Sequence, residues 1–252
     1  MKQAIFVSAR TASKRLPNKS HLNLYRDTSL ISHVLNRAKL ASADLVVLCT
    51  TQEPEDDSLV DVANRCGTEV FRGSTEDKLA RWLGACDTFG VTAFVTMDGD
   101  DPFCEPSLAS QAFSQLQDCD FVESTQIVTG GFTYAINTTA LRKVCEIKDS
   151  ENTEMMWTYF KDTGLFKVSE LVVLEKELLR NDIRLTLDYI EDLELFREIF
   201  RLLDSKERID LLEVVRLLDT RDDLRMSNFF RQGEFLENQA NKTELKLRQG
   251  IQ

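Results

Sequence analysis

The residues with the clearest chemical potential lie in a loop near the N-terminus. The run Ala4–Val7 is apolar at successive positions, which is typical of a strand buried on both faces. The loop that follows carries four cations and three hydroxyls: Arg10, Lys14, Arg15 and Lys19, with Ser8, Thr11 and Ser13. Pro17 and Asn18 disfavour a helix here. Cations, hydroxyls and free backbone N–H groups beyond a strand end are what a triphosphate requires.

A group of carboxylates follows a later apolar run. Asp98, Asp100 and Asp101 come directly after Ala93–Met97. Carboxylates are hard oxygen ligands for Mg²⁺, which proteins bind through one or two carboxylates together with substrate phosphates. Asp188, which is predicted to close a strand, is a candidate second ligand beside Asp100. These positions predict a site for a metal ion and a polyphosphate.

Each of these groups also has an ordinary structural interpretation. The loop cations could be solvated surface groups, and Asp98–Asp101 could form an Asp-Gly turn. Asp188 could cap the helix that follows it, and spacing does not decide between capping and metal binding. The loop contains no glycine, so it has neither the spacing of a P-loop nor a dinucleotide fingerprint.

Composition restricts the class of protein. The 252 residues fit one large α/β domain, or one domain with an appendage, and a hydrophobic content of 42% supports a full core. A net charge of −11 argues against nucleic acid or a membrane as partner, so a polyphosphate must meet a local basic patch or metal. Six scattered cysteines, two histidines, no apolar run of membrane-spanning length and no signal pattern predict a cytoplasmic protein with reduced thiols.

The elements that must position these residues follow from hydrophobic periodicity. Strands are predicted at Ile5–Val7, Asp44–Thr50, Glu69–Phe71, Ala93–Met97, Asp120–Ser124, Phe132–Asn137, Val168–Leu174 and Ile183–Leu187. Helices are predicted at Ser29–Ala41, Glu55–Cys66, Glu76–Phe89, Pro106–Gln117, Asn152–Lys161, Glu191–Leu203 and Ile209–Leu218.

This alternation predicts an α/β fold with a mostly parallel central sheet flanked by helices. Ligands of such sheets bind beyond the carboxyl ends of the strands, so the basic loop and the acidic cluster are expected to face each other. Residues 1–204 are predicted to form the catalytic domain. Residues 205–252 are predicted to form a helical C-terminal extension that is peripheral or contacts another subunit.

Several stretches together resemble the sugar-acid cytidylyltransferases. The loop S-A-R-T-A-S-K-R-L-P-N-K is similar to the family signature A-R-x-x-S-x-R-L-P-x-K. Thr51–Asp57, Val70–Trp82, Asp98–Pro102 and the element R-L-T-L-D-Y-I-E-D-L-E also look like the family. The resemblance covers roughly residues 3–203, and the combination in this order is specific. The most similar subgroup is the spore-coat polysaccharide type, related to the enzymes that activate 3-deoxy-manno-octulosonate and acylneuraminates.

The resemblance implies a Rossmann-like nucleotide-diphospho-sugar transferase fold and a Mg²⁺-dependent nucleotidyltransferase. The implied reaction transfers CMP from CTP to a sugar, acidic by analogy, and releases pyrophosphate, in cell-surface polysaccharide biosynthesis. Relatives are often dimers, so a homodimer is expected.

The resemblance also assigns residues by position. The nucleotide would contact Ser8, Ala9, Arg10, Ser13, Lys14, Arg15, Lys19, Arg72, Ser74, Asp77 and Asp98. Asp100 and Asp188 would bind the metal, and Arg15, Lys19 and Asp100 would be catalytic. The acceptor sugar would contact Arg81, Thr133, Tyr134 and Glu154.

This chain departs from the family pattern in three places. Thr11 and Ala12 stand where relatives carry small residues and glycines, and Tyr189-Ile190 replaces Thr-Pro. In the region that selects the sugar, Thr153-Glu154 stands roughly where relatives have an Arg-Glu-His run. The sequence therefore does not identify the acceptor.

Two other functions remain open at this stage. One is a related nucleotidyltransferase that uses another base or a non-sugar acceptor such as a phosphonate, because nothing in the basic loop identifies cytosine. The other is a glycosyltransferase or an inactive sugar-nucleotide-binding module of the same fold, because Asp98-Gly99-Asp100 fits the Asp-x-Asp pattern. The cationic loop favours a triphosphate over the diphosphate of the second function.

Overall fold

The computed structural model describes residues 1–204 and 208–249. Its strands are β1 (Gln3–Ser8), β2 (Asn23–Tyr25), β3 (Thr28–Ser29), β4 (Leu45–Thr51), β5 (Glu69–Gly73), β6 (Ala93–Asp98), β7 (Phe121–Glu123), β8 (Tyr134–Asn137) and β9 (Val168–Glu170). Its α-helices are α1 (Leu30–Ala38), α2 (Asp57–Cys66), α3 (Lys78–Phe89), α4 (Pro106–Gln115), α5 (Thr138–Ile147), α6 (Thr158–Lys161), α7 (Ile190–Leu202), α8 (Leu211–Thr220), α9 (Asp222–Arg225) and α10 (Gln232–Lys242). Short 3₁₀ turns occupy Lys19–His21, Pro54–Asp56, Lys176–Leu178 and Phe229–Arg231.

A seven-stranded sheet in the order β5-β4-β1-β6-β8-β7-β9 forms the centre of the molecule. The strands β5, β4, β1 and β6 are parallel, β8 is antiparallel to β6 and β7, and β9 is parallel to β7. The prediction of a mostly parallel sheet is therefore confirmed. Ser8 pairs with Asp98 in the β1–β6 register, so the basic loop and the acidic cluster leave the sheet side by side.

Alternating side chains of β1 supply two hydrophobic cores, one on each face of the sheet. Ile5 and Val7 pack in the core formed with α1, α2, α4, α7 and α8. Ala4 and Phe6 pack in the core formed with α3, α5 and α6. Because successive residues of a strand point to opposite faces, an unbroken apolar run is what a sheet covered on both sides requires.

The ends of several helices lie where the sequence predicted them. The Ser29 hydroxyl accepts a hydrogen bond from the Ser32 amide at 3.4 Å and caps α1. Gly67 and Gly90 end α2 and α3 with φ of 67°, a conformation that glycine adopts without steric cost.

Two predicted elements were wrong in extent or type. Ile183–Leu187 is not a strand: Leu185 N–H donates to the Thr129 carbonyl and Leu187 N–H to the Asp100 carbonyl, so the segment bonds to two loops beyond the sheet. Its apolar residues are nevertheless buried, which explains why its pattern resembles that of a strand. The helix predicted at Asn152–Lys161 is reduced to the single turn of α6.

The sequence analysis missed α5 and α10. The helix α5 has Ala140, Leu141, Val144 and Ile147 at helical spacing on its buried face, a signal that the sequence analysis overlooked, whereas α10 is polar and largely exposed and has no strong local signal. The boundary predicted between residues 204 and 205 adjoins 205–207, which lie outside the described residues. Beyond it, Leu211, Val214 and Leu218 of α8 pack fully buried in the same core as the sheet.

Helix length bears on membrane insertion. Among the helices of residues 1–204 and 208–249, none combines the length and the apolar character needed to cross a bilayer.

Gly130 packs against the backbone of Leu185, in the segment 183–187 that leads to Asp188. A larger residue at Gly130 should therefore disturb the structure around the site. Its φ is +90°, and a Cβ atom there would lie 2.4 Å from the Leu185 carbonyl oxygen. We expect Gly130→Ala to lower the free energy of unfolding by at least about 1–3 kcal/mol, because the backbone strain adds to the clash. Urea denaturation measures this loss.

Gly233→Ala is the matched control. No heavy atom lies within 4 Å of the position its Cβ would take, and the residue lies in the first turn of α10. We expect this variant to unfold at an unchanged or slightly higher urea concentration. Equal destabilisation by the two substitutions would contradict the proposed role of Gly130.

Candidate active site

The site begins where β1 and β6 end. The Gly99 amide donates to the Ser8 carbonyl at 2.8 Å, which ties the two strand ends together. A Cβ at Gly99 would lie 2.8 Å from the Ala9 Cβ and 2.9 Å from the Ser8 oxygen, so only glycine permits this approach. The basic loop and the carboxylates of residues 98–101 consequently start from one fixed point.

A buried carboxylate anchors the basic loop. Asp56 accepts hydrogen bonds from the Thr11 amide at 2.7 Å and the Thr11 hydroxyl at 2.6 Å. Its other oxygen accepts from the hydroxyls of Thr50 and Thr51 at the end of β4, at 2.9 and 2.5 Å. Burial raises the pKa of Asp56, but the donors from Thr11 and the two threonines outweigh it, so the pKa lies below its usual value.

The ammonium of Lys19 joins the loop to two carboxylates. Its Nζ lies 2.6 Å from Asp100 Oδ2, 3.0 Å from Asp188 Oδ1 and 2.8 Å from the Leu187 carbonyl oxygen. Burial lowers the pKa of Lys19, but the two carboxylates raise it well above its usual value. Lys19 is therefore permanently charged, and it holds Asp100 and Asp188 on either side of one cation.

Asp188 is the most strongly neutralised carboxylate of the site. Oδ1 also pairs with Arg15, and Oδ2 lies 3.1 Å from Nη2 of the fully buried Arg184. Burial raises the pKa of Asp188, but Lys19 and Arg15 lower it to about 2. Its backbone N–H and that of Tyr189 donate to Asp192, so Asp192 rather than Asp188 caps α7.

Asp98, Asp100 and Asp101 form a group that could hold a metal ion. One oxygen from each lies within 4.8 Å of the others, and Asp101 Oδ1 is buried with no hydrogen-bond partner among the described residues. Burial and the neighbouring carboxylates Asp100 and Asp98 hold the pKa of Asp101 well above its usual value. Crowded oxygen ligands with an unpartnered buried oxygen fit a hard divalent cation.

The acidic group also has a lysine partner that the sequence analysis did not single out. Lys78 Nζ lies 3.1 Å from Asp98 Oδ1 and 4.9 Å from the centre of the Trp82 ring. The Trp82 indole N–H donates to Ser8 Oγ at 2.9 Å. Lys78 falls within the Val70–Trp82 stretch that resembles the family, and this was the available signal.

The other charged and polar side chains of the basic loop make fewer contacts within the protein. Arg10 Nη2 lies 3.6 Å from Glu154 Oε2, and Glu154 also binds Lys242 of α10 at 3.1 Å. Ser13 and Lys14 make no side-chain hydrogen bond within the described part of the chain, and Lys14 is exposed. Arg10, Ser13 and Lys14 are thus accessible to a ligand.

Arg72 and Asp77 are also predicted to contact the nucleotide. In the structure, each makes its hydrogen bonds and ion pairs with other residues of the protein. Arg72 donates to the Thr51 and Glu53 carbonyls, each at 2.8 Å, and pairs with Asp57. Asp77 caps α3, pairs with Lys148 and accepts from the Thr153 hydroxyl. Their contact with a nucleotide stays a prediction.

Ser74 and Arg81 are linked to each other. Arg81 Nη1 donates to the Ser74 carbonyl at 2.5 Å, and its Nε is buried without a partner among the described residues. Burial lowers the pKa of Arg81 from its usual value, and the nearby Arg10 adds to that effect. The Ser74 hydroxyl accepts from the Asp77 amide at 3.1 Å.

Of the other predicted acceptor residues, Thr133 and Tyr134 lie at the start of β8, which pairs with β6. Tyr134 begins β8 opposite Thr96, and its ring stacks on Phe121 with the ring centres 5.2 Å apart. Burial raises the pKa of Tyr134, and the charge of Asp98 adds to this. Thr133 carries a buried hydroxyl oxygen that has no partner in the described ranges. Glu154 lies between Arg10 and Lys242.

Comparison with protein families gives a match along most of the chain. The family model described as "Cytidylyltransferase" matches residues 4–237. An uncharacterized protein of Methanocaldococcus jannaschii is 31% identical, with 90% of this chain and 95% of that protein covered. The spore coat polysaccharide biosynthesis protein SpsF of Bacillus subtilis is 25% identical, with 86% of this chain and 94% of SpsF covered.

A solved structure gives the same result. A cytidylyltransferase from Leptospira borgpetersenii superposes with a TM-score of 0.80 at 25% identity, covering 89% of this chain and 96% of that one.

The anchoring of the basic loop leads to a prediction. We expect Asp56→Asn to lower the free energy of unfolding by about 1–3 kcal/mol, because an amide has one acceptor oxygen where the carboxylate has two. Hydrogen exchange of the Thr11 amide should be faster in the same variant. Urea denaturation and exchange mass spectrometry measure the two effects.

Asp57→Asn is the control, since Asp57 is the adjacent residue and makes an exposed pair with Arg72. Exposed ion pairs contribute little, so we expect a change below about 1 kcal/mol and unchanged exchange at Thr11. Slow exchange at Thr11 in Asp56→Asn would contradict the anchoring role.

Proposed function

This chain belongs to the cytidylyltransferase family, and we propose that it transfers CMP from CTP to a hydroxyl of a small acidic sugar, with release of pyrophosphate. The observation that carries the proposal is the position of Lys19 between Asp100 and Asp188, beside a loop whose other cations are accessible. A role in cell-surface polysaccharide biosynthesis is supported by the likeness to SpsF.

In this proposal the basic loop binds the triphosphate. Arg10, Lys14 and Arg15 would neutralise the phosphate oxygens and the departing pyrophosphate, and the Ser13 hydroxyl would donate a hydrogen bond to them. Asp56 holds the loop at β4, so its cations need little reorganisation when the nucleotide binds. Transfer needs no covalent enzyme intermediate, since the acceptor hydroxyl can attack the α-phosphorus directly and alignment with charge neutralisation lowers the barrier.

The carboxylates would hold a divalent cation, which we take to be Mg²⁺. Asp100 would bind it, with Asp188 as a second ligand and Asp98 and Asp101 beside them. When bound, this ion would supply positive charge at the α-phosphate and lower the pKa of the attacking hydroxyl. Lys19 contacts both Asp100 and Asp188, so it keeps the two carboxylates together.

The acceptor would lie between Tyr134 and Glu154. The free hydroxyl of Thr133 offers a hydrogen bond to a sugar. Glu154 is approached by Arg10 and Lys242, and Lys78 also lowers its pKa, so three cations surround this end of the acceptor site. These cations are the groups that would bind the carboxylate of an acidic acceptor. The six free cysteines support the proposed cytoplasmic location, and the homodimer is proposed by analogy with relatives.

The function is tested first with nucleotides alone. Melting curves with CTP, UTP, GTP or ATP, each with Mg²⁺, should show the largest stabilisation with CTP. A ligand at 100 times its Kd stabilises the fold by about 2.7 kcal/mol. Pyrophosphate release is then measured with CTP against a panel of sugar acids that includes nonulosonates. Stabilisation by another triphosphate alone would overturn the choice of CTP, and turnover of a CMP-sugar without pyrophosphate would overturn the reaction.

The role of Asp100 leads to a specific expectation. Asp100→Asn should reduce turnover by about 10²–10³-fold, because it removes a charge that a metal and Lys19 both require. Its far-ultraviolet circular dichroism and melting temperature should stay close to those of the unmodified protein. Asp87→Asn, which removes one partner of the exposed ion pair between Asp87 and Arg142, should keep full activity. Activity retained in Asp100→Asn would contradict the metal assignment.

Arg15 should act mainly on the nucleotide. Arg15→Ala is expected to raise the Kd for CTP by about 10–100-fold, since a charge-assisted hydrogen bond contributes about 1.5–3 kcal/mol. Isothermal titration calorimetry measures this change. Arg142→Ala, which removes the exposed partner of Asp87, should bind CTP normally. An unchanged Kd in Arg15→Ala would count against the phosphate-binding loop.

A further inference from the structure

Arg184 lies at the floor of the site and is wholly buried. Its Nη2 lies 3.1 Å from Asp188 Oδ2, and its Nε lies 3.1 Å from Asp192 Oδ1. A buried guanidinium requires hydrogen-bond partners on every side, because each unpaired N–H would have lost its contact with water. The acceptor for the remaining nitrogen, Nη1, comes from the C-terminal part of the chain, which also contacts the Arg184 carbonyl and the Tyr189 ring.

Four residues of this part of the chain form a group that we name the C-terminal clamp: Asn228, Arg231, Gln232 and Phe235. Asn228 is fully buried, and its Nδ2 donates to the Arg184 carbonyl at 3.0 Å and to Asp192 Oδ1 at 2.8 Å. Gln232 Oε1 accepts from Arg184 Nη1 at 3.3 Å. The Phe235 ring centre lies 4.5 Å from Arg184 Cζ.

The clamp is connected to Arg15 of the basic loop through the ring of Tyr189. The Tyr189 ring is approached by three guanidinium groups: Arg231 at 4.7 Å, and Arg15 and Arg184 each at 5.6 Å. Arg231 is also tied to the start of α7 by an ion pair with Glu191 at 2.8 Å. A tyrosine at this position thus connects the clamp to Arg15, which a threonine, without a ring, could not do.

We propose that the C-terminal clamp is a positioning element of the nucleotidyl transfer site. It fixes Arg184 and Tyr189, and these fix the two surfaces against which Arg15 rests: the Asp188 carboxylate and the Tyr189 ring. Arg15 then points toward the triphosphate before the nucleotide arrives. The proposal rests on the proposed function, and it gives the C-terminal extension a role in binding rather than in packing alone.

The geometry explains why Arg15 needs this support. Its side chain is about one-third exposed, whereas that of Asp188 is only 2% exposed. A long side chain at the surface samples many rotamers, and each one it loses on binding reduces the affinity. Two fixed contacts, one ionic and one with an aromatic face, remove that freedom in advance.

The test measures the binding of CTP with Mg²⁺ by calorimetry in two clamp variants. Asn228→Ala removes the donor to Arg184 and Asp192, and Phe235→Leu removes the aromatic face while keeping an apolar side chain on α10. Each should raise the Kd about tenfold. Leu236→Ala is the control, because Leu236 follows Phe235 on the same helix and is 53% exposed. It should bind as the unmodified protein does.

A double-mutant cycle separates positioning from general destabilisation. In an Arg15→Ala background, each clamp substitution should raise the Kd less than twofold, since the group it positions is gone. Equal losses in both backgrounds, or normal binding in Asn228→Ala and Phe235→Leu, would overturn the proposal. If Asn228→Ala does not fold, Phe235→Leu alone decides the question. Failure of the unmodified protein to bind CTP would instead contradict the proposed function.

Discussion

The buried carboxylate of Asp188 is the group on which the rest of the site depends. Its side chain is almost wholly removed from water, yet it stays ionised because Lys19, Arg15 and Arg184 surround it. A buried pair that loses one partner costs about 3–5 kcal/mol. Lys19, Arg15 and Arg184 must therefore all contact Asp188 in the folded protein. Displacement of any of them leaves a charge unpaired.

Asp188 and Asp101 lie in opposite electrostatic states. The pKa of Asp188 is lowered to about 2, so its pairing stabilises the fold above about pH 4 and is lost as the pH falls toward 2. The pKa of Asp101 is raised by burial and by Asp100 and Asp98, so its ionisation at neutral pH opposes folding. Protonation or a bound cation relieves that repulsion. Asp188 is thus neutralised by three cations, whereas Asp101 makes no ion pair within the described part of the chain.

How much of the fold and of the site could be predicted from the sequence depends on how far apart along the chain the contacting residues lie. Ser29, Gly67 and the position of the basic loop were predictable because capping, chain reversal and strand ends leave signals within a few residues. The contact between Lys19 and Asp188 spans 169 positions, and only a resemblance to known proteins could bring those residues together beforehand. Asn228 could not be predicted at all, since a polar residue in a polar tail gives no sign that it is fully buried.

The departures of this chain from the family pattern have physical counterparts in the structure. A loop without glycine cannot fold around a phosphate through backbone freedom, so its shape must come from elsewhere. Thr11 provides it, because its amide and hydroxyl both bind Asp56, whereas a glycine would keep only the amide bond. Tyr189 acts in the same way at the opposite wall, where its ring links Arg231 and Arg15. At both positions a larger side chain replaces flexibility with a specific contact, so the loop backbone at Thr11 and the side chain of Arg15, both proposed to serve phosphate binding, are held by the protein itself.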